Sequence, residues 1–277
     1  MFKASLAVGR AIRPLLPDDV AAKIPAPAKA AGERPAARRE RVMLMLEGCV
    51  QPGLSPNTNA AAARVLDRLG IAIQPAPEAG CCGAVDYHLN AQEAGLAKAR
   101  RNIDAWWPAI EAGAEAIIQT ASGCGAFVKE YGFLLRDDPA YAAKARRVSE
   151  LARDLVEILR DENIDRLGIK ADRKLAFHCP CTLQHAQKLG GAVEGVLSRL
   201  GFSLTAVPES HLCCGSAGTY SITQPELSQR LRDRKLNALE SGAPEIIATA
   251  NIGCQMHLSS AGRTPVRHWI ELVDEAC

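Results

Sequence analysis

Aromatic residues are scarce in this 277-residue chain, at 4% of the total, and the formal net charge is only +2. Neither a basic face for phosphate backbones nor a platform on which bases stack is present, so nucleic acid is not the expected partner. No run approaches the roughly 18 apolar residues that a membrane-spanning helix needs. Arg10 and Arg13 interrupt the weakly apolar N-terminal stretch, and no small-residue cleavage pattern follows, so no signal peptide is read. A P-loop, a G-x-G-x-x-G after a strand and a Gly-x-Ser-x-Gly elbow are all missing. Their absence removes the usual nucleotide fingerprints and the commonest serine nucleophile. The expectation is a cytoplasmic α/β protein without a transmembrane segment, with peripheral attachment at the inner membrane through partners as the alternative.

What is present is cysteine, ten of them. In a chain without export signals these are reduced thiols, for which metal or redox chemistry is expected before a disulfide framework. The length suits two modest cores. Residues 17–41 hold four prolines, mixed charge and few bulky apolar side chains, which is linker composition, and the four arginines after Gly32 are expected on a solvated face.

Beyond the linker the pattern is regular. "RVMLMLEG" reads as a buried strand, "NTNAAAARVLDRLG" as a capped helix closed by Gly70, and "IAIQPA" as a second strand running toward Cys81-Cys82-Gly83. A long helical run carrying Trp106 and Trp107 follows, then a third strand, "AEAIIQTAS", ending near Cys124. The tandem tryptophans are expected to pack in the core and an adjoining groove. The second half repeats the order: "RKLAFHCPC", "GAVEGVLSRLG", "FSLTAVPES" into Cys213-Cys214-Gly215, a helix with alternating charges on a solvated face, and "PEIIATANIGC" ending at Cys254. Strand–helix alternation of this length predicts parallel sheets. Cys49 to Cys81 and Cys181 to Cys213 are both 32 positions, Cys82 to Cys124 is 42 and Cys214 to Cys254 is 40. Matched cysteines are therefore offset by 130 or 132 positions, the mark of an internal duplication.

All eight matched cysteines fall at carboxyl ends of predicted strands, where open parallel sheets bind ligands. Gly83 and Gly215 would allow the sharp bend, or the close ligand approach, that lets adjacent cysteines face one site. Soft thiolates select zinc, copper(I) or iron–sulfur clusters. Dispersed loops with an adjacent pair match the knuckles of structural zinc poorly and an iron–sulfur cluster better, with zinc and a dithiol redox centre as alternatives.

The doubled Cys-Cys-Gly resembles the cysteine-rich CCG domain of glycolate oxidase iron–sulfur subunits, of heterodisulfide reductases and of lactate-utilisation proteins. "LEGCVQP", "SGCGAFVKEYG", "FHCPCTLQHAQ" and "HLCCGSAGTYSI" are similar to the glycolate oxidase subunits in particular, from about Val42 onward. The resemblance implies two duplicated Rossmann-like CCG domains, at 42–165 and 166–277, after an arm and linker at 1–41. It implies an electron-transfer subunit of a flavin-dependent 2-hydroxy acid oxidase, with FAD only in partner subunits and an iron–sulfur cluster, 4Fe–4S or non-cubane, in this chain. The alternatives are a thiol/disulfide redox subunit of the heterodisulfide reductase type and a lactate-utilisation protein. By motif, Cys49, Cys81, Cys82 and Cys124 form one site and Cys181, Cys213, Cys214 and Cys254 the other. The family's ferredoxin-like segment is absent, so Met1 is expected to correspond to an internal point of a longer protein, or the ferredoxin part to be a separate chain. Phe127 and His257 stand where heterodisulfide reductase motifs carry a further cysteine. Cys179 and His257 are therefore expected as extra ligands of the second site, near which His178, His185 and His211 also fall, while only His88 is near the first. His178 is expected to pack along its strand, and Cys277 to be a frayed thiol.

Overall fold

The structure, a computed structural model, describes residues 2–17, 21, 24–28, 30–36 and 39–277. The predicted linker positions 18–20, 22, 23, 29, 37 and 38 lie outside the described residues. Strands β1 (Arg41–Met45), β2 (Ile71–Gln74), β3 (Ile117–Gln119) and β4 (Ala152–Asp154) form one parallel sheet in the order β2-β1-β3-β4. Strands β5 (Lys174–His178), β6 (Ser203–Leu204), β7 (Ile246–Thr249) and β8 (Val266–His268) form a second in the corresponding order, β6-β5-β7-β8. The duplication and the Rossmann-like α/β class are thus plain in the topology. β1, β3, β5 and β7 are apolar runs buried at their carboxyl ends or throughout, as expected of parallel strands covered by helices on both faces.

Each sheet has a fourth strand where three were expected. β4 and β8 are three residues long, follow helices, and are extended by pairing with β3 and β7. Such brief segments carry no period of their own, so sequence pattern misses them. "FSLTAVPES" is strand over only Ser203–Leu204. The helix Asn57–Arg68 starts without a side-chain cap, because its cap residue is Pro56, whose side chain has no acceptor; Asn57, the first helical residue, accepts on Oδ1 from Gly32 N–H and Arg64 Nη2.

The two halves share one apolar core, which joins Val65, Leu66 and Leu155 to Leu175, Val193, Trp269 and Val273. The closing helix of each half lies on the opening helix of the other: Trp269–Ala276 packs on Asn57–Arg68, and Leu155–Asp161 on Ala192–Arg199. Buried polar contacts lock this exchange. Glu271 Oε1 accepts from Ser55 Oγ at 3.0 Å and Thr58 Oγ1 at 2.5 Å, and Arg64 Nη2 pairs with Asp274 at 2.6 Å. His268 Nε2 donates to Thr120 O at 2.8 Å, and Ser122 N–H donates to Ala250 O at 3.1 Å. Cys277 is held rather than frayed. Its N–H donates to Asp274 O, its carbonyl accepts from Arg68 Nη1 at 2.7 Å, and its side chain packs on the core. Trp106 is fully buried, while Trp107 is half-buried with the Lys144 ammonium 5.1 Å from its ring centroid.

Candidate metal centres

In each sheet the chain departs from the first strand to one side and then to the other, so the crevice lies at the carboxyl ends of β1 and β3, and of β5 and β7. The cysteines converge there. Cys49 follows β1, Cys81-Cys82 follow β2, and Cys124 sits in the first turn of the helix Ser122–Lys129 after β3. Cys181, Cys213-Cys214 and Cys254, the last in the first turn of Ile252–Ser259, repeat this. A helix N-terminus favours thiolate.

The thiols of each site neighbour one another in a line, close enough to shift one another's proton affinity: Cys49, Cys81, Cys82 and Cys124 in the first, and Cys181, Cys213, Cys214 and Cys254 in the second. Hydrogen bonds from Cys49 and Cys82, the Gly83 N–H and the Lys98 ammonium hold the Cys81 thiol far below its ordinary range. Cys213 is lowered in the same way by Cys181, Cys214 and the Gly215 N–H, which donates to its Sγ at 3.3 Å. Cys49, Cys82, Cys181 and Cys214, as donors in partly or fully buried positions, are raised. Each site thus holds at least one thiol that gives up its proton readily, Cys81 in the first and Cys213 in the second, as a soft metal group requires of its ligands.

The glycine of Cys-Cys-Gly serves the bend and the packing behind it. Gly83 has φ +96° and Gly215 φ +90°. A Cβ on Gly83 would lie 2.4 Å from Gly95 O, and one on Gly215 2.3 Å from Ser228 O, so the turn presses on the helix that follows it. Of the two expected reasons for glycine, the bend holds, and the close approach is by a helix backbone.

The loops are tied from behind. Gln51 and Asn59, both buried, bond to each other and to Thr120, and Asn59 Nδ2 donates to Glu47 O at 3.2 Å, fixing the segment that carries Cys49. Tyr131 OH donates to Cys82 O at 2.6 Å. Asn102 takes the Gly80 N–H on Oδ1 at 2.9 Å and donates to Cys81 O at 3.0 Å. In the second half Ser228 Oγ donates to Gly215 O at 2.7 Å, and Lys235, 2% exposed, donates to Glu209 O and Ser210 O at 3.0 Å each. Desolvation lowers the Lys235 ammonium while the surrounding cysteines oppose that shift. Asn102, Tyr131, Ser228 and Lys235 were invisible to motif reading, since nothing in a helical pattern marks which polar residue faces a loop.

Cys179 and His257 sit differently from the eight matched cysteines. Cys179 belongs to the shared apolar core, and burial beside Glu194 pushes its thiol up to about 12. His257 Nε2 is hydrogen-bonded to Ser228 Oγ at 3.1 Å, and burial lowers the ring's affinity for a proton. His185 Nε2 donates to His211 O at 3.3 Å, and His88 packs edge-on against Phe127. The histidine that does reach the sulfurs is His178: one of its ring nitrogens, Cys214 Sγ and Cys254 Sγ lie within 4.8 Å of one another. Among the described residues no three donors of the first site close to that extent. Four thiols gathered from three separate loops, as each site has, fit an iron–sulfur cluster.

Comparison with known proteins agrees with this architecture. The profile of the cysteine-rich domain, CCG, matches residues 43–129 and 175–259. The chain is 71% identical over 276 residues to the glycolate oxidase iron-sulfur subunit of Escherichia coli (strain K12), spanning 100% of this chain and 68% of that protein. It is 30% identical over 239 residues to the probable glycolate oxidase iron-sulfur subunit of Bacillus subtilis (strain 168), across 83% of this chain and 53% of that protein. It is also 27% identical over 215 residues to lactate utilization protein A of Bacillus licheniformis, across 76% of this chain and 87% of that protein. No described helix is long and apolar enough to cross a membrane.

Proposed function

The chain belongs to the cysteine-rich CCG family, and within it to the group of the glycolate oxidase iron–sulfur subunits, and on that footing we propose that it is the electron-transfer subunit of a flavin-dependent glycolate oxidase. Cys49, Cys81, Cys82 and Cys124 hold one iron–sulfur group, and Cys181, Cys213, Cys214 and Cys254 a second. In this reading the chain divides into an arm at 1–41 and domains at 42–165 and 166–277. Glycolate is oxidised at FAD in partner subunits, and a cluster, 4Fe–4S or non-cubane, supplies one-electron steps between that flavin and an acceptor. A separate ferredoxin-like chain or segment is a further partner. The observation that carries this reading is the twofold convergence of four buried or half-buried thiols on one strand-end crevice.

The chain's own part is to shape potential and exclude water. Donors aimed at sulfur, such as the Gly215 N–H on Cys213 and Asn251 Nδ2 on Cys254 Sγ at 3.5 Å, stabilise added negative charge and so raise a cluster's reduction potential. Lys98, paired with Asp86, and the buried Lys235 act in the same direction through space. Asn251 also approaches the other centre: a Cβ on Gly123, next to Cys124, would lie 3.7 Å from its Oδ1. Its side chain thus lies between the residues of Cys124 and Cys254.

The test is anaerobic. The cluster-loaded chain, combined with its FAD-containing partner, bleaches in the visible on addition of glycolate and does not bleach when the partner is omitted. Bleaching by L-lactate and not by glycolate would move the assignment to the lactate-utilisation relatives. No bleaching by either would overturn the electron-transfer role.

A further inference from the structure

His178 and Leu46 are equivalent residues. Each stands three positions before the first matched cysteine of its half, Cys181 or Cys49, at the carboxyl end of the first strand. Leu46 is 3% exposed and belongs to the first half's core cluster, so packing at this position is satisfied by an aliphatic side chain. In the second half the position holds an imidazole that is 1% exposed, and neither of its ring nitrogens has a hydrogen-bond partner that meets normal geometry. Burying such a group without a partner is unfavourable. What lies against it is sulfur: the Sγ atoms of Cys214 and Cys254, all within 4.8 Å with the ring nitrogen.

We infer that His178 is a donor of the second site, supplying an imidazole nitrogen to the metal group that Cys181, Cys213, Cys214 and Cys254 hold. This rests on the reading that the site binds an iron–sulfur cluster. The neighbouring candidates are otherwise engaged, since His257 is taken up by Ser228 and Cys179 lies in the apolar core beside Glu194. The second centre then has four thiols and one imidazole, whereas the first has four thiols and a leucine. A neutral imidazole adds a donor without adding the negative charge that a fifth thiolate would bring. The two centres are accordingly unequal in ligation and in potential.

The experiment uses the full chain, purified anaerobically and assayed for iron and acid-labile sulfide, with His178→Cys and His178→Leu beside it. Nitrogen-sensitive pulsed electron paramagnetic resonance and a redox titration followed by absorbance are the readouts. The expected wild-type result is strong nitrogen coupling on one of two distinguishable clusters. His178→Cys keeps its iron, loses that coupling and lowers the potential of that centre only. His178→Leu, which installs the first half's residue, also loses the coupling and brings the two centres closer in potential. Loaded wild-type protein without strong nitrogen coupling, or coupling and potential unchanged in both variants, would overturn the assignment of His178 while leaving the cluster reading intact. Wild-type protein without iron and sulfide would overturn both.

Discussion

Asn102 and Lys235 anchor the cysteine-pair loop of the two halves by different chemistry. Asn102 clasps Gly80 N–H and Cys81 O at the first cysteine pair, and Lys235 donates to Glu209 O and Ser210 O just ahead of the second. One is neutral and the other cationic, so the same mechanical task leaves the two sites in different fields.

Replacing Lys235 by methionine keeps the apolar stem and strands two carbonyls. We expect a loss of about 2–4 kcal/mol in folding stability. Cluster content should fall to roughly half, because only the second site is disturbed. Asn102→Ala should do the same to the first. Thermal unfolding paired with iron analysis reads both, and loss of iron from both sites in either variant would contradict independent anchoring.

Gly215→Ala combines a left-handed φ of +90° with a Cβ 2.3 Å from Ser228 O, and Gly83→Ala repeats the conflict at Gly95 O. Each should destabilise metal-free protein by about 2–4 kcal/mol, as expected where backbone strain meets a helix that cannot move away. Denaturant midpoints of the metal-free variants measure this; a change under about 0.5 kcal/mol, the size of an ordinary surface substitution, would be inconsistent with the packing described.

Burial pushes the Asp154 carboxyl up to about 7, and its Oδ1 caps the helix Leu155–Asp161 by accepting from Val156 N–H. The folded state then holds a proton that the unfolded chain has released. Stability present near pH 4 is lost as pH rises through 7, by an amount on the order of 2–4 kcal/mol. Asp154→Asn retains a capping side chain without the charge. Relative to the wild type, its unfolding free energy should rise steadily across that range and exceed it at pH 8. Parallel slopes for the two proteins would show that Asp154 titrates normally.

Glu271→Ala leaves the buried Ser55 and Thr58 hydroxyls without their cross-half acceptor, for a cost of about 1–3 kcal/mol. Because the halves share a core, unfolding should remain one cooperative transition. Two resolved transitions in the wild type would mean that the halves fold separately.

Much of this was legible in the sequence because parallel β/α units mark themselves by apolar runs and helical periods, and because the 130- and 132-residue offsets tie cysteine to cysteine. β4 and β8 were not, being short strands created by their neighbours. The exchanged closing helices could not be foreseen, since amphipathic helices do not declare which sheet they cover. His178 looked like a packing residue, because alternation along a strand gives a side chain's face without its neighbours. Its role emerges only when Leu46 is seen at the same place in a half that lacks the imidazole. Cys277 looked free at the end of the chain, and Arg68 from the other half holds it.

The central claim is that the two lines of four cysteines hold clusters. Iron and acid-labile sulfide per chain, measured together after strictly anaerobic purification with a paramagnetic resonance spectrum of the same sample, test it most directly. Equal iron and sulfide at about eight per chain, with signals from two inequivalent centres, is the expected result for two four-iron clusters. Folded protein carrying zinc without sulfide, or carrying no metal after reconstitution with iron and sulfide, would contradict it.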